Sequence, residues 1–138
     1  MDWVAQEDPA GCGAATLAML AGCTYEEAKS QVDEMLWDYD GVCEPKPVNW
    51  NEGGMTQYHL DRALYAHGFF KQTRYASWGW DLSLPFAPLH WAIVQQPSNN
   101  FHFVAVDHDG TAFDPMQCEP RRLSDWPKVV QLCGLVKP

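Results

Sequence analysis

Helical periods come first in this chain and strand periods afterwards, an order that predicts an α+β domain with N-terminal helices packed on a C-terminal antiparallel sheet. Three observations carry that expectation. Ala14 to Leu20 is apolar except for Thr16, the mark of a helix buried nearly all round. Tyr25, Ala28, Val32, Met35 and Leu36 then recur at helical spacing, with Glu26, Lys29, Ser30, Asp33 and Glu34 between them. The last third gives short apolar runs separated by turn sequences, Pro97-Ser98-Asn99-Asn100 and His108-Asp109-Gly110, which read as a meander of strands. With 138 residues, 46% of them hydrophobic, the chain has material for one real core, so residues 1–138 are read as a single domain.

The elements follow in order. The first helix opens at Cys12, after the irregular Asp8-Pro9-Ala10-Gly11 stretch, and runs through Ala21 to a stop at Gly22. Thr24 and Glu27 have capping-box spacing, so a second, amphipathic helix starts there and extends to Met35 and Leu36. From Trp37 to Gly54 the pattern breaks into a long loop rich in Asp, Asn, Pro and Gly, anchored to the core by Trp37 and Trp50. Thr56 is the N-cap of a third helix with Leu60, Ala63, Leu64 and His67 on one face, Met55 and Leu60 placed as a hydrophobic staple, and Gly68 at C′. Phe69 to Ala76 reads as a strand, Trp78-Gly79-Trp80 as a flexible aromatic loop that forms a satellite hydrophobic cluster or else flanks a cleft, and Pro85 and Pro88 as brackets around Phe86 and Ala87. Strands are then expected over Leu89–Gln95, Phe101–Asp107 and Thr111–Asp114, with a short helical turn near Ser124-Asp125-Trp126-Pro127. Val129–Val136 closes the sheet.

Composition excludes several classes. The net charge is −9 and the nine Lys and Arg are scattered, so no basic stripe offers itself to nucleic acid or to an anionic membrane. The apolar run of the first helix is too short to span a bilayer. Met1 to Asp8 has neither the basic nor the apolar part of a signal peptide. Five cysteines, an odd number, fit free thiols in a reducing compartment, so a cytoplasmic setting is expected. Neither Cys-x-x-Cys nor His-x-x-x-His occurs, so no metal and no cofactor are expected.

Chemistry concentrates at the start of the first helix. A thiol in the first helical turn sits beside unpaired backbone N–H groups and the positive end of the dipole, which favours the thiolate nucleophile. Gln6 stands six positions before Cys12, where a side-chain amide can swing in and share an oxyanion with the Cys12 N–H. Gly11 and Gly13 lack side chains and so are expected to let a substrate backbone approach the sulfur.

Gln-x5-Cys-Gly opening an apolar helix resembles the papain-like cysteine peptidases. The run Gly-Cys-Gly-Ala-Ala-Thr-Leu-Ala-Met-Leu looks most like the bacteriocin-processing, double-glycine leader peptidases and their stand-alone relatives. Asp or Asn usually precedes the cysteine in that branch, where this chain has Gly11. The resemblance covers nearly the whole chain. It implies the papain-like fold and a thiol peptidase acting on a peptide or protein.

The residues alone leave five histidines as possible bases. In the resembling family the base opens a hydrophobic strand, and a following strand carries an acid or amide just before a proline. Phe101-His102-Phe103-Val104-Ala105-Val106 and Ala112-Phe113-Asp114-Pro115 match, which implies His102 as base and Asp114 as the residue that orients it; His90 is the fallback. Strand parity tests the pairing. A three-residue turn His108-Asp109-Gly110 puts Asp114 opposite Val104, on the face of His102, and needs Gly110 left-handed beside a bulge. A two-residue turn Asp109-Gly110 puts Asp114 opposite Ala105, facing away. His59 and His67 read as structural, and Cys23, Cys43, Cys118 and Cys133 as bystanders. The same Cys-His-Asp set serves acyl transfer, deamidation or isopeptide cleavage, and a blocked groove would leave a binding module of the same fold.

Overall fold

The computed structural model describes residues 1–39, 41–76, 87–96, 98 and 100–138, with backbone only for Asp38, Tyr39, Val42 and residues 72–76. The expected Trp78-Gly79-Trp80 loop, with Pro85 and Phe86, lies outside the described residues. Three N-terminal helices, α1 (Cys12–Ala21), α2 (Tyr25–Glu34) and α3 (Gln57–Ala66), pack on a six-stranded sheet. Its strands are β3 (Phe70–Ala76), β4 (Leu89–Gln95), β5 (Phe101–Asp107), β6 (Thr111–Phe113), β7 (Arg121–Arg122) and β8 (Val129–Val136). They lie in the order β3-β8-β4-β5-β6-β7, each pair antiparallel.

Buried nearly all round, α1 is the hub. Eight of its residues, Gly13 to Leu20, are buried, and its most extensive contact with the sheet is with β5. Gly22 ends it in a left-handed conformation (φ 74°), returning its N–H to the Ala18 carbonyl. Trp91, Phe103, Ala105, Cys133 and Leu135 join the helices in one core. The opposite sheet face carries Ala92, Val94, Val104, Val106 and Ala112 under Leu123 and Trp126. Covered on both sides, β4 and β5 need apolar residues at successive positions, which is why they read as unbroken hydrophobic runs.

Three expectations change. First, α2 ends at Glu34, and Leu36 opens a strand. Leu36 is 56% exposed, so its apolar character never reported a buried helical face. Second, the expected 37–54 loop contains a hairpin, β1 (Leu36–Tyr39) with β2 (Val42–Pro45), turning at Gly41 with φ 82°. Trp37 and Trp50 are buried as expected of anchors. The Trp37 indole donates to the Val32 carbonyl (3.2 Å) in the last turn of α2, and the Trp50 indole to the Asp33 carboxylate (3.1 and 3.2 Å). Third, β8 sits between β3 and β4 rather than at the margin. Leu132, Cys133 and Leu135 are buried among both neighbours, and the charged two-residue β7 takes the outer edge beyond β6.

Smaller shifts accompany these. β3 starts at Phe70 and β6 stops at Phe113, and the helical turn is a single 3₁₀ turn over Leu123–Asp125. At α3, Thr56 is the N-cap, and His59 takes the place of Glu in the capping box, its Nδ1 accepting from the Thr56 N–H at 2.9 Å. Met55 and Leu60 are both buried there, and Gly68 follows with φ 89°. Among the described residues no helix is long and apolar enough to cross a membrane.

Candidate active site

Cys12 is the first residue of α1, and the loop before it is clamped from behind. The Asp8 carboxylate accepts from Tyr25 Oη (2.6 Å) and pairs with Lys29 Nζ (2.8 Å), both on α2. The Ala10 N–H donates to the Trp50 carbonyl (2.9 Å) and the Gly11 N–H to the Asp8 carbonyl (3.1 Å). The Lys29 hydrogen bond, then that of Tyr25, holds the Asp8 carboxyl below its ordinary range.

Close approach explains the glycines beside the thiol. A Cβ on Gly11 would lie 2.0 Å from Tyr25 Oη, and one on Gly13 2.8 Å from Met55 Cβ. Their missing side chains are therefore taken up by Tyr25 and Met55, which corrects the expectation that both open space for a substrate. Gly11 stands where the resembling branch has Asp or Asn, and Tyr25 fills the place such a side chain would occupy. Gly54 (φ 60°) meets the Ala10 carbonyl in the same way, at 2.3 Å from a would-be Cβ, and seats the 49–55 loop against the nucleophile loop.

From the sheet come the other two groups. Register pairs Val106 with Ala112 and Ala105 with Phe113, so the β5–β6 turn is the three-residue form, and Gly110 has φ 87°. The Asp107 and Asp109 carboxylates accept from the Thr111 N–H (3.1 and 2.9 Å), pinning the turn. Asp114 thereby lands on the face of His102, and His102 Nε2 lies 2.6 Å from Asp114 Oδ1. The Met116 N–H donates to that same oxygen at 2.8 Å. Both residues are about 5% exposed or less. His102 and the Cys12 thiol line the same cleft and interact electrostatically, each shifting the ionisation of the other.

Electrostatics follow from this chain of contacts. Burial pushes the Cys12 thiol up, but the His102 hydrogen bond and charge, with backbone donors at Phe103 and Gly13, outweigh it and leave the thiol below its ordinary value. Burial likewise pushes His102 down, yet its bonds to Asp114 and Cys12 raise it to about 9. Asp114 is pushed up by burial and, more strongly, down by His102, the Met116 N–H and the charge of Arg121. Cys23 moves the opposite way: burial and the nearby Glu27 raise it. A thiolate facing an imidazolium, oriented by a carboxylate, is an arrangement able to attack a carbonyl and hand a proton to its leaving group.

Gln6 lines the same cleft, a cavity of about 610 Å³ that also holds Cys12 and His102. Its amide is already engaged: Nε2 donates to the Asp8 and Pro9 carbonyls (3.0 and 3.3 Å). These two bonds hold the side chain against its own loop, and reaching an oxyanion costs one of them. The exposed rings and chains of Phe101 and Met116 stand at the rim.

The remaining candidates lie elsewhere. His90 pairs with Val106 at the far end of the β4–β5 ladder, about 13 Å along the strands from His102, where its buried ring interacts with backbone at Val106 and Asp107. His67 bonds Gln31 (2.6 Å), and His59 caps α3. Among the described residues no three His, Cys, Asp or Glu side chains gather as a metal ion would require. The sequence reading missed the supports: Asp8, Tyr25 and Lys29 behind the thiol, and Trp3, whose indole donates to the Asp114 carbonyl at 2.8 Å. Tyr25 and Lys29 carried a helical signal but no pointer to Asp8, and Trp3 carried none. No family model matches this sequence, and no curated protein matches it.

Proposed function

We propose that the chain is a papain-like cysteine peptidase that hydrolyses a peptide or isopeptide bond through Cys12, His102 and Asp114. One observation carries the reading: Cys12 and His102 line one open cleft, and the His102 ring is held by Asp114 Oδ1 at 2.6 Å. His102 takes the Cys12 proton and stays as imidazolium. The thiolate attacks the carbonyl carbon, and the Cys12 N–H with an N–H of Gln6 holds the oxyanion. The amide of Gln6 carries that donor by rotating off one of its two loop carbonyls. His102 then gives its proton to the leaving amine, and the C–N bond breaks to leave a thioester. Water, deprotonated by His102, cleaves the thioester and releases the acid. Asp114 fixes the ring throughout and favours its protonated form. The free thiols fit a reducing setting such as the cytoplasm, with a peptide or protein as the partner.

The test is labelling with an electrophilic thiol probe, located by mass spectrometry, in the native chain and in His102→Ala. Selective labelling of Cys12 that disappears in the variant is expected. Equal labelling of several cysteines, indifferent to His102, would remove the basis for the proposal.

A further inference from the structure

Asp114 is placed beyond the end of its own strand. The β5–β6 ladder ends at the Ala105–Phe113 pair, and β6 is only three residues long. No ladder hydrogen bond therefore fixes Asp114, and Pro115 after it has no N–H to contribute. The turn's own bonds are few: the Met116 N–H to the carboxylate (2.8 Å) and the Gln117 N–H to the Asp114 carbonyl (3.0 Å). The missing support comes from the opposite end of the chain. Trp3 Nε1 donates to the Asp114 carbonyl at 2.8 Å, and the Gln6 N–H donates to the Pro115 carbonyl at 3.1 Å. These two bonds grip consecutive carbonyls of the acid-bearing turn.

We propose that residues 3–6 form a positioning clamp, with Trp3 as a positioning residue that sets the Asp114 carboxylate against His102. Trp3 touches no reacting atom and acts through the carbonyl of Asp114. The same segment ends in Gln6, so the acid-bearing turn and the residue assigned to the oxyanion are stitched into one unit. Motion of that turn relative to β5 would lengthen the 2.6 Å contact between His102 and Asp114, the contact that holds the ring's orientation and charge. The geometric part of this inference needs no peptidase activity; its catalytic consequence rests on the function proposed above.

The groups that act on the His102 ring are Cys12 from α1 and Asp114 from the turn, with Arg121 acting in turn on Asp114. The experiment follows the His102 imidazole by NMR titration in the native chain, in Trp3→Phe, in Asp114→Asn and in the double variant. Trp3→Phe keeps an aromatic ring at a site 37% exposed and deletes only the N–H. The expected result is a His102 midpoint below about 9 in Trp3→Phe. Trp3→Phe is also expected to slow Cys12 alkylation at pH 7 by about three- to tenfold. In the Asp114→Asn background Trp3→Phe is expected to change neither quantity further, because its route runs through that carboxylate. A merely structural Trp3 would lower thermal stability equally in both backgrounds and leave the His102 midpoint where it was, and that result overturns the proposal. Deuterium exchange of the Trp3 indole N–H in the native chain gives a second reading that needs no variant: slowed exchange is expected, and exchange at the rate of a free indole overturns it. Should Cys12 prove unreactive while the His102 midpoint still moves with Trp3, the clamp stands and the peptidase reading fails.

Discussion

The two walls of the cleft differ in how far close packing adds to the hydrogen bonds that hold them. On the helical side, Cys12 rides on a buried helix whose N-terminal loop is wedged by close packing: Tyr25 against Gly11, Met55 against Gly13, and the Ala10 carbonyl against Gly54. On the sheet side, His102 and Asp114 sit near strand ends and are aligned by a handful of hydrogen bonds around a three-residue turn. Packing of the first kind tolerates no added atom, because interiors are filled to crystal density. Hydrogen bonding of the second kind is most sensitive to a lost donor or acceptor. Added bulk should therefore damage the Cys12 side through stability, and a lost hydrogen-bond partner should damage the His102 side through ionisation as well as stability.

The largest effect expected is on the sheet side. His102→Ala removes the partner that lowers the thiol, so Cys12 alkylation at pH 7 should fall on the order of 100-fold, and the cavity and the buried Asp114 carboxylate left without its partner should lower thermal stability as well. Next comes the helical side. Gly11→Ala should destabilise the fold by about 1–3 kcal/mol, the usual cost of overpacking, measured by denaturant unfolding. Pairing it with Tyr25→Phe, which removes the hydroxyl at 2.0 Å, should recover part of that loss. If Gly11→Ala instead leaves stability intact and only abolishes labelling, the contrast between the walls is wrong.

Gly110→Ala sharpens the comparison further. The residue needs φ near 87°, so alanine there should cost about 1 kcal/mol. By disturbing the three-residue turn it should also slow Cys12 labelling more than its stability cost explains. Thr56→Ala gives the smallest expected effect on chemistry. It loses a helix cap worth about 1 kcal/mol and should leave Cys12 labelling unchanged.

The sequence was informative wherever one local rule decided the outcome. Gly22, the Thr24–Glu27 box and the Thr56 cap set helix limits by local backbone chemistry, and all three are seen where the spacing puts them. The β5–β6 turn was legible only as two alternatives, because Asp109-Gly110 suits either loop length; carboxylates at Asp107 and Asp109 converging on the Thr111 N–H select the longer one. The hairpin over Leu36–Pro45 was illegible because its outward Leu36 mimics a helical position, while the buried Trp37 is set by long-range packing. The place of β8 between β3 and β4 is likewise a matter of topology, since period and composition say that a strand is buried, not which strands flank it. At the site, local pattern pointed to Cys12 and Gln6, whereas His102 and Asp114 were singled out from the alternatives by the resemblance alone. The groups that hold them, Asp8, Tyr25, Lys29 and Trp3, act through contacts between residues far apart in the chain, such as Trp3 with Asp114.

The charge state of the Cys12–His102 pair is the central claim, and it has a definite pH signature. The folded chain raises His102 from an ordinary 6.5 to about 9, so the imidazolium's contribution is complete below 6.5 and is lost as pH rises through about 9. The thiol is lowered, so its thiolate appears at lower pH than that of an ordinary cysteine. The direct measurement is the rate of iodoacetamide alkylation at each cysteine from pH 4 to 10, resolved by mass spectrometry. Cys12 should reach its plateau rate at lower pH than an ordinary thiol, whereas Cys23, raised by burial, should respond only at higher pH. A Cys12 rate that climbs only with the midpoint of an ordinary thiol, and does so equally in His102→Ala, would contradict the account.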